Sequence, residues 1–360
     1  MLIYFILLVI YIIILLLVSL GFILIETHKN VNDDIENNYR PRTLVMIPCR
    51  GVDYSLEENL KSIINQDYPD YHAVTIVDSP DDPACSIINK LKIDCIVSDF
   101  QCGKCSGKVR ALCTAIEKYP DYEVYVIADS DILVSSQWLK YLIMPLGIDN
   151  AGISTTFPYF KPVGGFWSRV KEVWGFVGMG LMEAKLTRFG WGGSLAFKKS
   201  LLNNYFDYFC SNISDDTALT KIAKDKNLDL YYVKRAMPVV NSPENFEQFF
   251  EWANRQTALS IAASKKIFYY GILFYFSYMF LFFSAIFAGI FYNKLFLLFL
   301  IPEILYILNM IRRLNKVSPE NVIAAILMPF IYTLNLFMAN RMKDITWRGR
   351  VYNIKNKKLL

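Results

Sequence analysis

Two carboxylates separated by one residue follow a short apolar segment in the middle of the chain. Residues 124–128 are uncharged, and Asp129 and Asp131 come directly after them in the sequence VYVIADSDILV. Carboxylate oxygens at this spacing suit Mg²⁺ or Mn²⁺, and such an ion commonly holds the phosphates of a nucleotide. A polar turn at the end of a strand would place the same residues there without any ligand. The pair therefore predicts a metal site if its place in the fold is one where ligands bind.

A second acidic cluster, SDDT at residues 214–217, precedes a helical pattern of apolar residues. A Ser followed by two acids is also an ordinary start of a helix, because a capping side chain and the helix dipole favour it. Beside a ligand, however, a carboxylate at this point can take the proton from an attacking hydroxyl. Between the two clusters lie Gly190, Gly192 and Gly193, which let the backbone approach a ligand closely or simply form a turn.

These residues belong to a segment in which short apolar strands alternate with amphipathic helices. Residues 43–48 and 73–77 are nearly continuous apolar runs, as in strands that are covered on both faces. Between them, SLEE at residues 55–58 predicts a capping box at the start of a helix. The pattern continues with a helix capped by Asp82, a strand at 94–97, a helix at 108–118 and a strand at 123–128. We predict an α/β domain with a mostly parallel sheet and a nucleotide-sized crevice at the carboxyl ends of its strands.

Polar residues follow three of these strands at the point where each strand ends. Cys49 and Arg50 follow the first strand, Asp78 follows the second, and Asp129 and Asp131 follow the strand at 123–128. The carboxyl ends of parallel strands meet at one edge of a sheet, which is where such sheets bind ligands. The sequence therefore predicts that these side chains line one crevice.

The two ends of the chain are more apolar than its middle. Of the 360 residues 54% are hydrophobic. Residues 2–25 carry no charge, and a helix of this length is enough to cross a hydrocarbon core of about 30 Å. This segment lacks the basic start and the small-residue cleavage site of a secretory signal, so we predict a retained anchor. Three more apolar stretches occupy residues 267–292, 295–311 and 322–338. The predicted parts are an anchor at 1–26, an α/β domain at 39–264, membrane or interfacial helices at 265–340 and a basic tail at 341–360.

Basic residues give this arrangement a direction across the membrane. They are Lys29, Arg40 and Arg42 after the first apolar segment and Arg312, Arg313 and Lys316 after the third. The positive-inside rule places both groups, and the domain between them, in the cytoplasm. Four crossings would leave the tail outside, yet the tail carries seven basic residues against one Asp. Either one apolar stretch is re-entrant or interfacial, or the rule fails for this chain.

The cysteines and one aromatic segment complete the local patterns. Seven cysteines, an odd number, in a domain expected to face the cytosol predict no disulfide framework. Cys102 and Cys105 form an isolated C-x-x-C pair without a second pair, which argues against structural zinc. Residues 161–184 mix aromatic and basic side chains, so they could lie in the lipid headgroup layer or pack against the domain, and the sequence favours neither.

Six segments of the domain, together with the tail, resemble one family of enzymes. The chain is similar to family-2 glycosyltransferases of the GT-A fold, and in particular to membrane-bound ceramide glucosyltransferases. The matching segments are VDSPDDPA from Val77, GKVRAL from Gly107, ADSDILV from Ala128, WGGSLAF from Trp191, ISDDTALTKIA from Ile213, QFFEWANRQTAL from Gln248 and the tail DITWRGRVY from Asp344.

The resemblance implies a role for residues at matching positions. Asp78 would contact the nucleobase and ribose, and Lys108 would lie near the nucleotide. Asp216 matches the second acid of the family's Glu-Asp pair and would be the catalytic base, although Asp215 replaces the commoner Glu. With the edge residues above, the expected donor-binding set is Cys49, Arg50, Asp78, Lys108, Asp129, Asp131 and Arg255, of which Asp129 and Asp131 would also hold the metal.

The family's last motif, Gln-x-x-Arg-Trp, is only partly kept. The chain reads WANRQ at residues 252–256, so that Arg255 is retained while Trp252 and Gln256 depart from the pattern. The resemblance implies that processive polysaccharide synthases need the Trp that Gln256 replaces, so we expect a single transfer. We assign four residues to the acceptor side of the site, namely Trp191, Gly192, Gly193 and Trp252.

The expected function is therefore inverting transfer of one hexose, glucose from UDP-glucose, to the hydroxyl of a membrane lipid such as ceramide. The expected cofactor is Mg²⁺ or Mn²⁺, and the expected partners are a UDP-sugar donor, a membrane lipid acceptor and the bilayer, with no nucleic acid. Two alternatives remain open from the residues. One is a processive polysaccharide synthase, and the other is a catalytically silent membrane protein that binds a lipid or a sugar.

Overall fold

The structure is a computed structural model that describes residues 2–27 and 29–354. Strands and helices alternate through the middle of the chain, and helices dominate both ends. The α-helices are α1 Leu2–Thr27, α2 Leu56–Ile64, α3 Ala84–Leu91, α4 Gly107–Lys118, α5 Trp138–Ile143, α6 Phe166–Glu183, α7 Phe206–Cys210, α8 Asp215–Asp225, α9 Phe246–Ala263, α10 Lys265–Phe291, α11 Ile301–Ile311 and α12 Pro319–Arg341. The β-strands are β1 Thr43–Pro48, β2 Tyr71–Val77, β3 Asp94–Val97, β4 Val124–Ala128, β5 Ile132–Leu133, β6 Ala151–Thr155, β7 Tyr159–Pro162, β8 Ser194–Lys198, β9 Asp229–Tyr232, β10 Val239–Ser242, β11 Asp344–Trp347 and β12 Arg350–Asn353.

A seven-stranded sheet in the order β3-β2-β1-β4-β8-β6-β9 forms the centre of the α/β domain. Strand β1 is parallel to both of its neighbours, with Thr43 in register with Tyr71 of β2 and with Val124 of β4. Strand β8 is antiparallel to β4 and to β6, and the other pairs are parallel. The predicted mostly parallel α/β sheet is confirmed.

Alternate side chains of β1 enter two separate hydrophobic cores. Val45 and Ile47 pack with α2, α3, α5 and α6 on one face of the sheet. Leu44 and Met46 pack with α4 and α8 on the other face. Because both faces are covered, the strand reads as a continuous apolar run, and polar side chains appear only where it ends.

The predicted capping box before α2 is wrong. Ser55 precedes the helix with a positive φ of 61° and makes no side-chain hydrogen bond to the first turn. In this left-handed conformation its hydroxyl cannot reach the N3 amide as a capping residue in extended backbone does. The cap predicted before α3 does form, since Asp82 Oδ1 accepts a hydrogen bond from the amide of Ala84 at 2.9 Å.

The expectation of no disulfide framework is also wrong. The structure joins Cys113 of α4 to Cys210 at the end of α7, and Cys102 to Cys105 in the loop before α4. Cys113 and Cys210 are 97 residues apart and meet because α4 and α7 pack against each other in the second core. That packing cannot be read from an odd cysteine count or from the spacing of the residues.

Three helical segments are long and apolar enough to cross a membrane, namely Lys265–Phe291, Lys294–Ile311 and Pro319–Arg341. They coincide with the three apolar stretches that follow the domain in the sequence. Helix α1 packs against two of them through a cluster that contains Phe22 of α1, Tyr278 and Leu281 of α10, and Phe299. The N-terminal helix is apolar over Leu8–Leu24, and its role as an anchor remains a prediction.

Helix α12 differs from the other two segments because it lies along the α/β domain. Near its start, Nδ2 of Asn321 donates a hydrogen bond to Glu172 of α6 at 2.8 Å. In its middle, the hydroxyl of Tyr332 donates to the carbonyl of Trp174 in α6. Towards its end, Nδ2 of Asn335 donates to Oδ1 of Asn254 in α9 at 2.7 Å. Helix α6, which contains most of the aromatic segment 161–184, is thereby packed between α12 and the domain core.

Candidate active site

The carboxyl ends of β1, β2 and β4 open into a cavity of about 1330 Å³. Cys49 and Arg50 after β1, Asp78 after β2, and Asp129 after β4 all line it. Cys49 is buried with only 3% of its surface exposed, and this burial raises the pKa of its thiol well above the usual range. The geometry brings together the edge residues that the strand pattern singled out.

Lys108, in the first turn of α4, connects three parts of the site. Its ammonium nitrogen lies 2.7 Å from Oδ1 of Asp129 and 3.3 Å from Oδ2 of Asp215. It also donates a hydrogen bond to the carbonyl of Gly192 at 3.0 Å. Burial alone would lower the pKa of Lys108, but Asp129 and Asp215 raise it above its usual value, so the side chain stays protonated. A cation fixed in this position joins the D-x-D segment (residues 129–131), the glycine-rich segment (residues 190–193) and the second acidic cluster (residues 214–217).

Asp216 is held at the cavity wall by hydrogen bonds to both of its carboxylate oxygens. Oδ2 accepts from the amide of Gly192 at 3.1 Å, and Oδ1 accepts from the amide of Thr217 at 2.7 Å and from the hydroxyl of Ser214. The side chain is half-buried and lines the cavity. These donors fix the orientation of the carboxylate and leave lone pairs that can accept a further proton.

Asp215 occupies a different environment although it is the adjacent residue. It is 3% exposed, and its Oδ2 lies 3.3 Å from Nζ of Lys108 but has no other hydrogen-bond donor among the described residues. Burial raises the pKa of Asp215, as do the charges of Asp216 and Asp129, against the lowering effect of Lys108. A Cβ at Gly192 would lie 2.4 Å from this Oδ2, so only glycine fits between the two segments.

Asp131 has no hydrogen-bond or ion-pair partner among the described residues, in contrast to Asp129. Burial raises the pKa of Asp131, and the neighbouring charges of Asp129 and Asp53 raise it further. A carboxylate without a cation next to a second carboxylate fits a divalent ion, because Mg²⁺ uses one or two protein carboxylates together with water and substrate phosphates. Within residues 2–27 and 29–354 there is no cluster of three or more His, Cys, Asp or Glu side chains that could hold a metal. An ion here would therefore depend on ligands from the substrate.

Asp78 is surrounded by guanidinium groups, of which the sequence assigned only Arg50 to the site. Arg50 lies 3.2 Å and Arg110 2.8 Å from its carboxylate, and Arg350 of the C-terminal hairpin lies 3.1 Å from it. Next to this cluster, Arg348 forms an ion pair with Asp53. The other three arginines lie in segments that match the family, namely Arg110 in GKVRAL and Arg348 and Arg350 in DITWRGRVY. The only feature of the sequence that could have indicated a role for the last two is the basic character of the tail.

The four residues predicted for the acceptor side have different positions. Trp191 and Trp252 line the cavity, whereas Gly192 and Gly193 contribute backbone. The carbonyl of Gly193 accepts a hydrogen bond from the amide of Asp129 at 3.0 Å, which fixes the D-x-D segment beside the glycines. The ring of Trp252 packs edge-to-face on Trp174 with centroids 4.7 Å apart. Arg255, one turn further along α9, also lines the cavity.

The same cavity continues away from the charged residues into an apolar region. Its walls there come from α6, α9, α10 and α12, and its lining includes Phe274, Tyr275, Met328 and Leu336. Lys266 and Tyr270, in the first turns of α10, line it as well. One continuous space thus joins the carboxylates at the sheet edge to the helices that are apolar enough to lie in a membrane.

Two solved structures of glycosyltransferases are similar to this chain. A solved mannosyltransferase from Pyrobaculum calidifontis, in complex with GDP-Man and Mn²⁺, aligns with 92% of this chain and 94% of its own at a TM-score of 0.56 and 17% identity, which shows a shared fold. A glucosyl-3-phosphoglycerate synthase from Mycobacterium tuberculosis, with Mn²⁺ and UDP-glucose, aligns with 62% of this chain and 79% of its own at a TM-score of 0.43 and 14% identity.

The family comparison covers nearly the whole chain. The model for "Glycosyl transferase family 21" matches residues 11–360. The match includes the α/β domain, the apolar helices after it and the C-terminal hairpin. With a GT-A-type fold and a match of this extent, the chain belongs to glycosyl transferase family 21.

Proposed function

We propose that the protein transfers one hexose, glucose from UDP-glucose, to the hydroxyl of a membrane lipid such as ceramide. The observation that carries this proposal is the continuous cavity, which has Asp129 and Asp216 at one end and Phe274 and Leu336 at the other. A charged end suits a nucleotide sugar, and an apolar end between membrane-facing helices suits a lipid. A soluble acceptor would need only the charged end.

The donor side of the proposed reaction uses the carboxyl ends of β1, β2 and β4. Asp78 is the candidate contact for the nucleobase and ribose, and Asp129 and Asp131 would hold Mg²⁺ or Mn²⁺. When bound, such an ion supplies positive charge to the diphosphate as it leaves the sugar. Lys108 fixes Asp129 in place through the contact at 2.7 Å.

Asp216 is the candidate catalytic base. The acceptor oxygen attacks C1 of the hexose, the bond between C1 and the phosphate oxygen breaks, and the hydroxyl proton passes to the carboxylate of Asp216. The nucleoside diphosphate leaves with the bonding electron pair, and nearby guanidinium groups stabilise its charge. A single displacement without a protein nucleophile inverts the configuration at C1. Asp216 suits this role better than Asp215 because it is more accessible from the cavity and does not pair with Lys108.

The acceptor side explains why the protein has apolar helices after the domain. A ceramide-like lipid can place its chains in the apolar region and direct its hydroxyl towards Asp216 without leaving the membrane. Trp191 and Trp252 lie between the two regions as cavity-lining aromatic residues and are candidates for contact with the sugar or the lipid headgroup. Both are large surfaces that suit such contacts.

The contacts of the helix ends support three crossings rather than four. Arg313, just after α11, pairs with Glu26 at the end of α1 and lies 2.7 Å from Glu183 of α6, so both helices end at the domain. Helix α10 begins directly after α9 and therefore leads away from the domain, and α11 returns to it. Helix α12 contacts the domain along its length and would lie at the interface. The basic tail would then share the side of the domain, and the positive-inside rule would place both in the cytoplasm.

Transfer of labelled sugar to lipid tests the proposal. Membranes that contain the protein are incubated with labelled UDP-glucose, UDP-galactose or GDP-mannose together with ceramide or diacylglycerol, and label in the organic phase is measured. We expect transfer from UDP-glucose to ceramide, dependent on Mg²⁺ or Mn²⁺, and none with Asp216→Asn. Label that enters only water-soluble products would contradict a lipid acceptor, and no transfer from any donor would contradict the activity.

A further inference from the structure

The C-terminal residues form a hairpin that reaches across the chain to the donor end of the cavity. Strands β11 and β12 pair in antiparallel fashion, with Trp347 opposite Arg350. The two residues between the strands, Arg348 and Gly349, have φ values of 50° and 72°. Positive φ values at both positions are typical of the two-residue turns that connect the strands of a β-hairpin. The tip of the hairpin is therefore a compact turn that carries arginine on both sides of a glycine.

The hairpin has an apolar base and a charged tip. At the base, Ile345 and Ile354 are buried in a cluster with Ala258 and Ile261 of α9 and Leu336 of α12. At the tip, Arg348 contacts Asp53 and the carbonyl of Arg50, and Arg350 contacts Asp78. The base fixes the position of the hairpin, and the tip holds guanidinium groups at the cavity.

The charges at the tip are not balanced by the carboxylates next to them. Arg50, Arg110 and Arg350 converge on the single carboxylate of Asp78, and Arg348 pairs with Asp53. Four guanidinium groups thus contact two carboxylates. The charges of Asp131 and Asp129 also act on Arg348, but these two carboxylates are the ones assigned to the metal. Both hairpin arginines line the same cavity as Asp129 and Asp131.

We infer that Arg348 and Arg350 bind the diphosphate of the nucleotide-sugar donor, an inference that rests on the proposed function. The planar guanidinium group presents paired N–H donors that match phosphate oxygens, and it keeps its charge at all physiological pH values. A nucleoside diphosphate carries the negative charge that this cluster lacks. The hairpin thereby supplies donor-binding residues that lie far in sequence from the α/β domain. Its Tyr352 holds the hairpin against α4, because the hydroxyl accepts a hydrogen bond from the amide of Gly107 at 3.1 Å.

Binding of UDP and of uridine to the full chain in detergent separates phosphate contacts from nucleobase contacts. Isothermal titration with Mg²⁺ present is done on wild type, Arg348→Gln, Arg350→Gln and the control Arg341→Gln, which removes an exposed positive charge at the end of α12. We expect each hairpin variant to weaken UDP binding by about tenfold, from the strength of charge-assisted hydrogen bonds. Uridine binding and the control should stay at the wild-type level.

A second measurement does not depend on the folding of the variants. Hydrogen exchange of residues 344–353 in the wild-type protein is compared without nucleotide, with uridine and with UDP. We expect added protection of the hairpin with UDP and none with uridine. Unchanged exchange with UDP, or variants that bind UDP as the wild type does, would overturn the inference while leaving the proposed function intact. A wild-type protein that does not bind UDP would instead overturn the proposed function and this inference with it.

Discussion

The Nζ atom of Lys108 lies 3.3 Å from Oδ2 of Asp215, and both side chains are almost completely buried. This ion pair connects the start of α4 to the start of α8, on opposite sides of the glycine-rich segment. Since Lys108 also holds Asp129 at 2.7 Å, the pair fixes the distance between the D-x-D segment and the candidate base. The site thus depends on one buried cation for its arrangement.

Replacing Lys108 with Met should destabilise the domain by about 3 kcal/mol, because it leaves the buried Asp215 without a cation. Thermal unfolding in detergent measures the loss. The double variant with Asp215→Asn removes the uncompensated charge and should recover most of the stability, although not the activity. Equal stability of the single and double variants would show that the pair does not carry this energy.

Asp216→Asn and Asp215→Asn separate the base from its neighbour. We expect Asp216→Asn to lower kcat by about 100-fold or more, as loss of a general base does, with UDP affinity unchanged. Asp215→Asn should mainly lower the melting temperature, because it removes the partner of Lys108. Retention of most turnover by Asp216→Asn, together with its loss in Asp215→Asn, would reverse the assignment.

The D-x-D segment should bind a divalent ion through Asp131. Mn²⁺ binding in the presence of UDP, followed by electron paramagnetic resonance of the free ion, gives a readout that does not require turnover. Asp131→Asn should weaken Mn²⁺ binding by at least the roughly tenfold loss that even outer-shell substitutions cause. Asp81→Asn, an exposed carboxylate in the loop after β2, is the matched control and should bind Mn²⁺ normally. Equal affinity in both variants would exclude Asp131 as a ligand.

Accessibility to a membrane-impermeant maleimide tests the arrangement of the helices. Cysteines are introduced at Lys294, between α10 and α11, and at Lys343, after α12, with the exposed native Cys95 as the reference for the side of the α/β domain. We expect position 343 to react from the same side as Cys95, and position 294 from the opposite side. If position 343 reacts together with position 294, then α12 crosses the membrane and the hairpin cannot reach the donor end of the cavity.

Much of the fold follows from the sequence, because buried parallel strands and their polar ends are local patterns. Strand β1 was predicted with its observed bounds, and the edge residues after β1, β2 and β4 do line one cavity. The strand pattern succeeds because burial on both faces leaves polar residues only where the chain leaves the sheet.

Contacts between distant segments were not predictable in the same way. The hydrogen bond between Gly107 and Tyr352 spans 245 residues, and no local pattern indicates that the tail returns to α4. The apolar pattern of α12 fits a helix that crosses a membrane as well as one that packs on the domain. Apolar residues alone do not show whether lipid or the helices α6 and α9 cover them. The cap at Ser55 failed because a side chain can cap only from a suitable backbone conformation, and φ cannot be read from the residue type.

The most direct test of the central claim is a mass spectrum of the lipid product. Purified protein in ceramide-containing vesicles is incubated with UDP-glucose and Mg²⁺, and the extracted lipid is analysed. The account predicts ceramide that has gained the mass of a single hexose. A ladder of masses from repeated hexose addition, or a hexose product without lipid, would contradict it.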